Sequence, residues 1–115
     1  MKVTRLYTGD DGESHFEEIE YALHPSGIGH LSERVKATGL IFRKTDPEYN
    51  LGFHNAPRRQ FIINLDAAVE IEVGDGSSKL IGPGEILLAE DVTGRGHKSR
   101  AVSGKTRHSV FITLD

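Results

Sequence analysis

The sequence predicts an all-β domain of the sandwich or barrel kind, and three observations carry that expectation. Short runs rich in Val, Ile, Phe and Thr recur along the chain, separated by glycine or polar clusters. Thirteen glycines punctuate 115 residues, and few apolar stripes have helical spacing. The cleanest pattern is Ala68–Val73. It places Val69, Ile71 and Val73 on one face and Glu70 and Glu72 on the other, then runs into the hairpin turn GDGSS.

The elements follow in order. Met1–Tyr7 alternates enough for a strand, with Val3 and Leu6 as core contacts, and TGDDGES makes a turn. Glu17–Leu23 mixes apolar and acidic residues as an edge strand does. HPSGIGH reads as a loop. Leu31–Lys36 and Leu40–Arg43 read as two short strands on either side of Gly39. DPEYNLGFHNAP reads as a polar loop carrying aromatic residues, a composition that suits a ligand-facing edge. Arg59–Leu65 is an apolar strand, and Asp66–Ala67 turns it into Ala68–Val73. Lys79–Ile81 and Glu85–Ala89 flank GPG, and EDVTGRG is a loop. His97–Val102 and His108–Leu114 are the last strands, joined by SGKTR. The total is about nine or ten short strands at regular spacing. No repeat, linker or low-complexity tract divides the chain, so residues 1–115 are expected to form one domain.

Bulk properties exclude several functions. The chain has no cysteine, which removes disulfides and thiolate metal sites and suits a cytoplasmic setting. The formal net charge is −3, with no Lys/Arg run to neutralise phosphates, so nucleic acid is not an expected partner. No apolar stretch is long enough for a membrane span, and the N-terminus lacks the apolar core of a signal peptide.

GFHNAPRRQFIINLDAAVEIEVGDG, followed by LIGPGEILLAEDVTGRGHKSR, resembles the two consecutive motifs of the cupins. The motifs cover residues 52–101, and the closer resemblance is to small bacterial single-domain cupins of uncharacterised function. It implies a double-stranded β-helix, the jelly-roll barrel. His54 matches the first histidine of the first motif, and His97 the metal-binding histidine of the second. Ala56 stands where a second histidine is usual, and Gln60 where the motif has glutamate. Ala67 replaces the closing glycine of the first motif. In the second, Gly84 matches the leading glycine, Glu90 occupies the proline position, and Ala101 replaces the final asparagine. The loop before His97 is two residues longer than the motif.

The resemblance thus implies a reduced metal set: His54, Gln60 and His97. Imidazole and amide donors suit a divalent first-row ion such as Zn, Ni, Fe or Mn, but this set brings no negative charge to the ion. Around it stand candidate ligand contacts: Arg58, Gln60, Tyr49, Phe53, Glu90 and Asp91. Arg58 and Arg59 point to opposite faces of a regular strand, and a one-residue slip exchanges them. Whichever enters is a bidentate clamp for a carboxylate or phosphate, or else the partner of Glu90 or Asp91. A regular strand also puts residues 54, 58 and 60 on one face. Beside a structural role as a dimer-forming module with no ligand, two functions compete. One is a cupin with a polar pocket at the barrel mouth, holding a small polar or anionic metabolite with metal optional. The other is a metal-dependent cupin enzyme of the dioxygenase or isomerase type, with Glu90 or Asp91 moving protons. The resemblance also implies a homodimer, since small cupins often pair through sheet edges, and exposed β edges invite such pairing.

Overall fold

The computed structural model describes all 115 residues, which form twelve strands and no helix. In chain order these are β1 (Lys2–Thr8), β2 (Ser14–Glu20), β3 (His24–Ser26), β4 (Gly29–Leu31), β5 (Gly39–Thr45) and β6 (Asn50–His54). They continue with β7 (Gln60–Asn64), β8 (Val69–Glu72), β9 (Ser78–Ile81), β10 (Ile86–Ala89), β11 (His97–Ala101) and β12 (Arg107–Thr113). No helix is long and apolar enough to cross a membrane.

Six strands make one sheet, in the order β2-β1-β10-β7-β12-β5. Four make a second, β6-β11-β8-β9, and β3-β4 form a separate hairpin. Only β1 and β10 run parallel; every other pair is antiparallel. The two larger sheets are separate hydrogen-bonded ladders and do not close into a barrel.

What holds them face to face is the alternation legible in the strands. Val69 and Ile71 of β8, with Val73 just beyond it, meet Leu6 of β1, Ile81 of β9, and Leu87 and Ala89 of β10 in one buried cluster. Ala56 completes it. Burying an aliphatic side chain of this size is worth about 1.5–3 kcal/mol, so the cluster is the main cohesive term between the sheets. A smaller cluster, Val3, Leu88 and Leu114, packs with Phe61, Tyr21, Ile19 and Ile86 on the other face of the large sheet.

The departures from expectation have local causes. His24–Leu31 is a short hairpin, because Gly27 takes φ +61° at its tip and lets the chain reverse. Of Leu31–Lys36, where an alternating pattern predicted a strand, Leu31 ends β4 and residues 32–36 find no ladder partner. Asn50–His54 was expected to be loop and is β6, paired with β11. Arg107 was expected in a connecting loop and is the first residue of β12. Between β6 and β7 the chain leaves one sheet and enters the other. His54 and Gln60 therefore do not share a strand face, as a regular strand would require; they lie on opposed sheets.

Leu87→Ala removes side-chain volume from the centre of the main cluster and is expected to cost about 2–5 kcal/mol. Leu80→Ser, on an exposed position of β9, is expected to stay within about 0.5 kcal/mol of the parent protein. Urea unfolding of the two variants checks both values.

Candidate functional site

A cavity of about 360 Å³ lies between the sheets. One wall is the inner face of the large sheet. Successive inward residues there are Gln60 and Ile62 on β7, Leu87 and Ala89 on β10, Phe111 and Arg107 on β12, and Ile41 and Arg43 on β5. The other wall comes from Val69, Ile71, His97, Ser99, Leu51 and His54 of the small sheet. Arg58, Asn55 and Pro57, in the crossing between sheets, complete the rim.

His54 and His97 are direct partners across the β6–β11 ladder, with ring centroids 4.5 Å apart. This approach depends on Gly96. Its φ is +82°, and a Cβ at that position would collide with the His54 carbonyl. Asn55 ties the same corner together, donating to the carbonyls of Thr93 at 2.9 Å and Gly94 at 3.0 Å. Each imidazole has Nδ1 engaged behind it. His54 Nδ1 lies 2.7 Å from the Gly52 carbonyl, and His97 Nδ1 lies 2.5 Å from Asp91 Oδ2. Carbonyl and carboxylate oxygens accept, so Nδ1 donates in both rings, and in the neutral form of each ring it is Nε2 that carries the lone pair.

Asp91 is fully buried, and Ser14 Oγ donates to the same Oδ2 at 2.8 Å. It was expected among the ligand contacts. It stands instead behind His97 and orients the ring. Gln60 is 3% exposed and faces the cavity, and its Oε1 has no hydrogen-bond partner. A buried acceptor left so is costly, about 1–3 kcal/mol, unless something in the cavity donates to it or coordinates it.

For a metal ion, two free Nε2 atoms and one orphan amide oxygen are chemically suitable donors. The set lacks negative charge, however, and Ala56, packed into the core cluster, offers no fourth donor. No group of three or more His, Cys, Asp or Glu side chains is placed to hold an ion. His54, His97 and Gln60 thus fit an open, weakly chelating site rather than a closed one.

Among the remaining expected contacts, Tyr49 lines the cavity, its hydroxyl 2.6 Å from Ser99 Oγ. Arg58 lies at the exposed rim. Arg59 turns outward to Glu90 and Asp115. Glu90 was expected to face the ligand, and its placement is different. Arg5 Nε and Arg59 Nε each donate to it at 2.6 Å, and this double ion pair holds it outside the cavity. Burial raises its pKa, but the hydrogen bonds from Arg5 and Arg59 outweigh that and bring it below the ordinary carboxylate value. Phe53, expected as a cavity wall, points away as well. The Arg95 guanidinium covers its ring at 4.0 Å and Lys98 Nζ lies at 4.9 Å.

The sequence reading missed Arg107 and Arg43. Arg107 is 5% exposed, and no carboxylate lies within ion-pair distance. Its one side-chain partner is Asn64 Oδ1, which accepts from Nη1 at 3.0 Å. Burial lowers its pKa from the usual guanidinium value; Tyr49 opposes that and Arg43 adds to it. Arg43 and Arg107 both approach the Tyr49 ring, at 5.7 and 5.8 Å. The available signal was parity: counting back by twos from the apolar Phe111 puts Arg107 on the inner face.

Fold and site together define a two-sheet all-β protein with a cationic internal cavity. No family model matches the sequence, and neither does any curated protein. Among solved structures the chain is similar to the protein NMB1881 from Neisseria meningitidis, with a TM-score of 0.52 and 19% identity, covering 72% of this chain and 81% of that one. At that identity the likeness concerns the fold alone.

Glu90 yields a pH prediction. Its pKa is lower in the folded state, so its contribution is fully present above the ordinary value of 4.5 and is lost as pH falls through the folded value. Glu90→Gln is expected to lose about 1–2 kcal/mol at pH 7, between exposed and buried pairs in size. The gap from the parent protein should narrow as pH falls below 4.5 toward the lower folded value. Urea titrations above and below that pH measure it.

Proposed function

We propose that the protein is a small jelly-roll cupin whose interior binds a small anionic metabolite. The crossed order of the large sheet, with β1 beside β10 and β7 between β10 and β12, supports the jelly-roll reading. So does the meeting of the two motif histidines across one ladder. The observation that carries the ligand class is the charge of the lining. Three arginines and two histidines face the cavity, and no aspartate or glutamate does. The arginine charges of such a lining favour an anion over a cation of the same shape. Hexanoate is expected to raise the unfolding temperature at fixed ionic strength, and hexylamine is not. Stabilisation by the amine equal to that by the acid contradicts the reading.

A second reading, a metal-dependent enzyme of the dioxygenase or isomerase type, draws on one observation: two free imidazole Nε2 atoms and an unpartnered Gln60 Oε1 border the same cavity. His54, His97 and Gln60 would hold a Zn, Ni, Fe or Mn ion, which would act there as a Lewis acid or redox centre. Elemental analysis of protein purified without chelators or a polyhistidine tag separates the two. About one equivalent of metal, lost in His97→Ala, favours the enzyme; metal-free, folded protein favours the binding module.

The assembly we propose is a homodimer. β5 is an edge strand with Leu40 and Phe42 exposed, Phe42 by 78%, and unpaired edges of this kind associate. Light scattering is expected to give twice the 12.7 kDa chain mass. A mass of 12.7 kDa contradicts it.

A further inference from the structure

The inner face of the large sheet is polar at both ends and apolar between. Along β7 the inward residues are Gln60, Ile62 and Asn64; along β12 they are Thr113, Phe111, Ser109 and Arg107. Gln60 faces the histidine end. Four residues of extended strand, about 13 Å, separate its row from that of Asn64. Ile62, Phe111, Leu87 and Ile71 line the space between.

The far end is built around Arg107. Asn64 Nδ2 donates to the Ile81 carbonyl at 2.8 Å, which fixes the amide and turns Oδ1 toward Arg107 Nη1. That contact uses one of the five N–H donors of the guanidinium. Thr45 lies directly opposite Arg107 on β5, and Ser109 two residues along β12. The hydroxyls of both are buried without a hydrogen-bond partner. Ser109 in turn pairs with Arg43 across the ladder, and Arg43 also lines the cavity. The guanidiniums of Arg107 and Arg43 both line the cavity, and together they form a site for a planar oxyanion.

We propose that Arg107, assisted by Arg43, anchors the carboxylate of an elongated organic acid. The apolar middle of this acid lies along Ile62 and Phe111, and its other end reaches His54, His97 and Gln60. This rests on the reading of the cavity as an anion site and specifies the shape and polarity of its occupant. A cavity of about 360 Å³ accepts an acid of the size of 3-phenylpropanoate.

The test is calorimetric titration with 3-phenylpropanoate, its neutral amide, acetate and inorganic phosphate. The wild-type protein is expected to bind 3-phenylpropanoate at least ~30-fold more tightly than the amide. Acetate and phosphate, which lack the apolar segment, are expected to bind at least ~10-fold more weakly than the aryl acid. Arg107→Met should lose the preference for acid over amide, and Arg107→Lys should recover part of it. Arg43→Met should weaken acid binding less than Arg107→Met does, with folding of each variant checked by circular dichroism. The acid–amide comparison is made on the unaltered chain and needs no variant to fold. Acid binding unchanged in folded Arg107→Met, or an amide bound as tightly as the acid, overturns the anchor while leaving an anion cavity standing. Phosphate binding as tight as the aryl acid overturns the elongated class. Failure of all three anions to bind the wild-type protein overturns both the anchor and the anion cavity.

Discussion

The interior of this molecule holds a guanidinium with no carboxylate beside it, and that unbalanced charge organises everything around the cavity. An uncompensated buried cation costs several kcal/mol even after relaxation. The protein keeps it by surrounding Arg107 with partial satisfaction: an amide oxygen from Asn64 and the face of the Tyr49 ring. The carboxylates nearest the cavity's histidine end do not reach Arg107 and are engaged with other partners. Glu90 is held between Arg5 and Arg59, and Asp91 is turned to His97 and Ser14. Chain-wide the protein is acidic, with a net charge of −3, while the cavity lining is cationic.

Two backbone features make such a cavity possible. The chain changes sheets between β6 and β7, so His54 looks across at Gln60 instead of sitting beside it. Gly96, in a conformation that side chains disfavour, lets β11 start close against β6. The aliphatic cluster centred on Leu6, Val69, Ile71 and Leu87 then joins the sheets. Cohesion and binding therefore share one interior: several residues that bury apolar area in the core also form the cavity's middle.

Much of this was legible in the sequence, and the gaps are physically instructive. β8 announced itself by alternation, because one face is buried and the other is not, and β7 by a short apolar run, because both of its faces are covered. β6 did not, because NLGFH mixes glycine, an aromatic and polar residues at an edge where only half the pattern is enforced. Residues 32–36 alternated without acquiring a partner, since pattern alone does not supply a neighbour in space. His54 and His97 were paired from their motif positions, and they do meet. Glu90 and Asp91, adjacent in sequence, were assigned one role and have two, because neighbouring positions of an extended chain face opposite ways. Arg107 was hidden by SGKTR, a composition that reads as a turn, although the strand already begins there.

The central claim is that the buried charge of Arg107 is completed by an acid from outside the protein. A crystal structure of the complex with 3-phenylpropanoate tests this most directly. The account predicts the carboxylate within hydrogen-bond distance of Arg107 and Arg43, with the ring along Phe111 and Ile62. A carboxylate lodged at the rim on Arg58, with Arg107 still bonded to Asn64 alone, would contradict it.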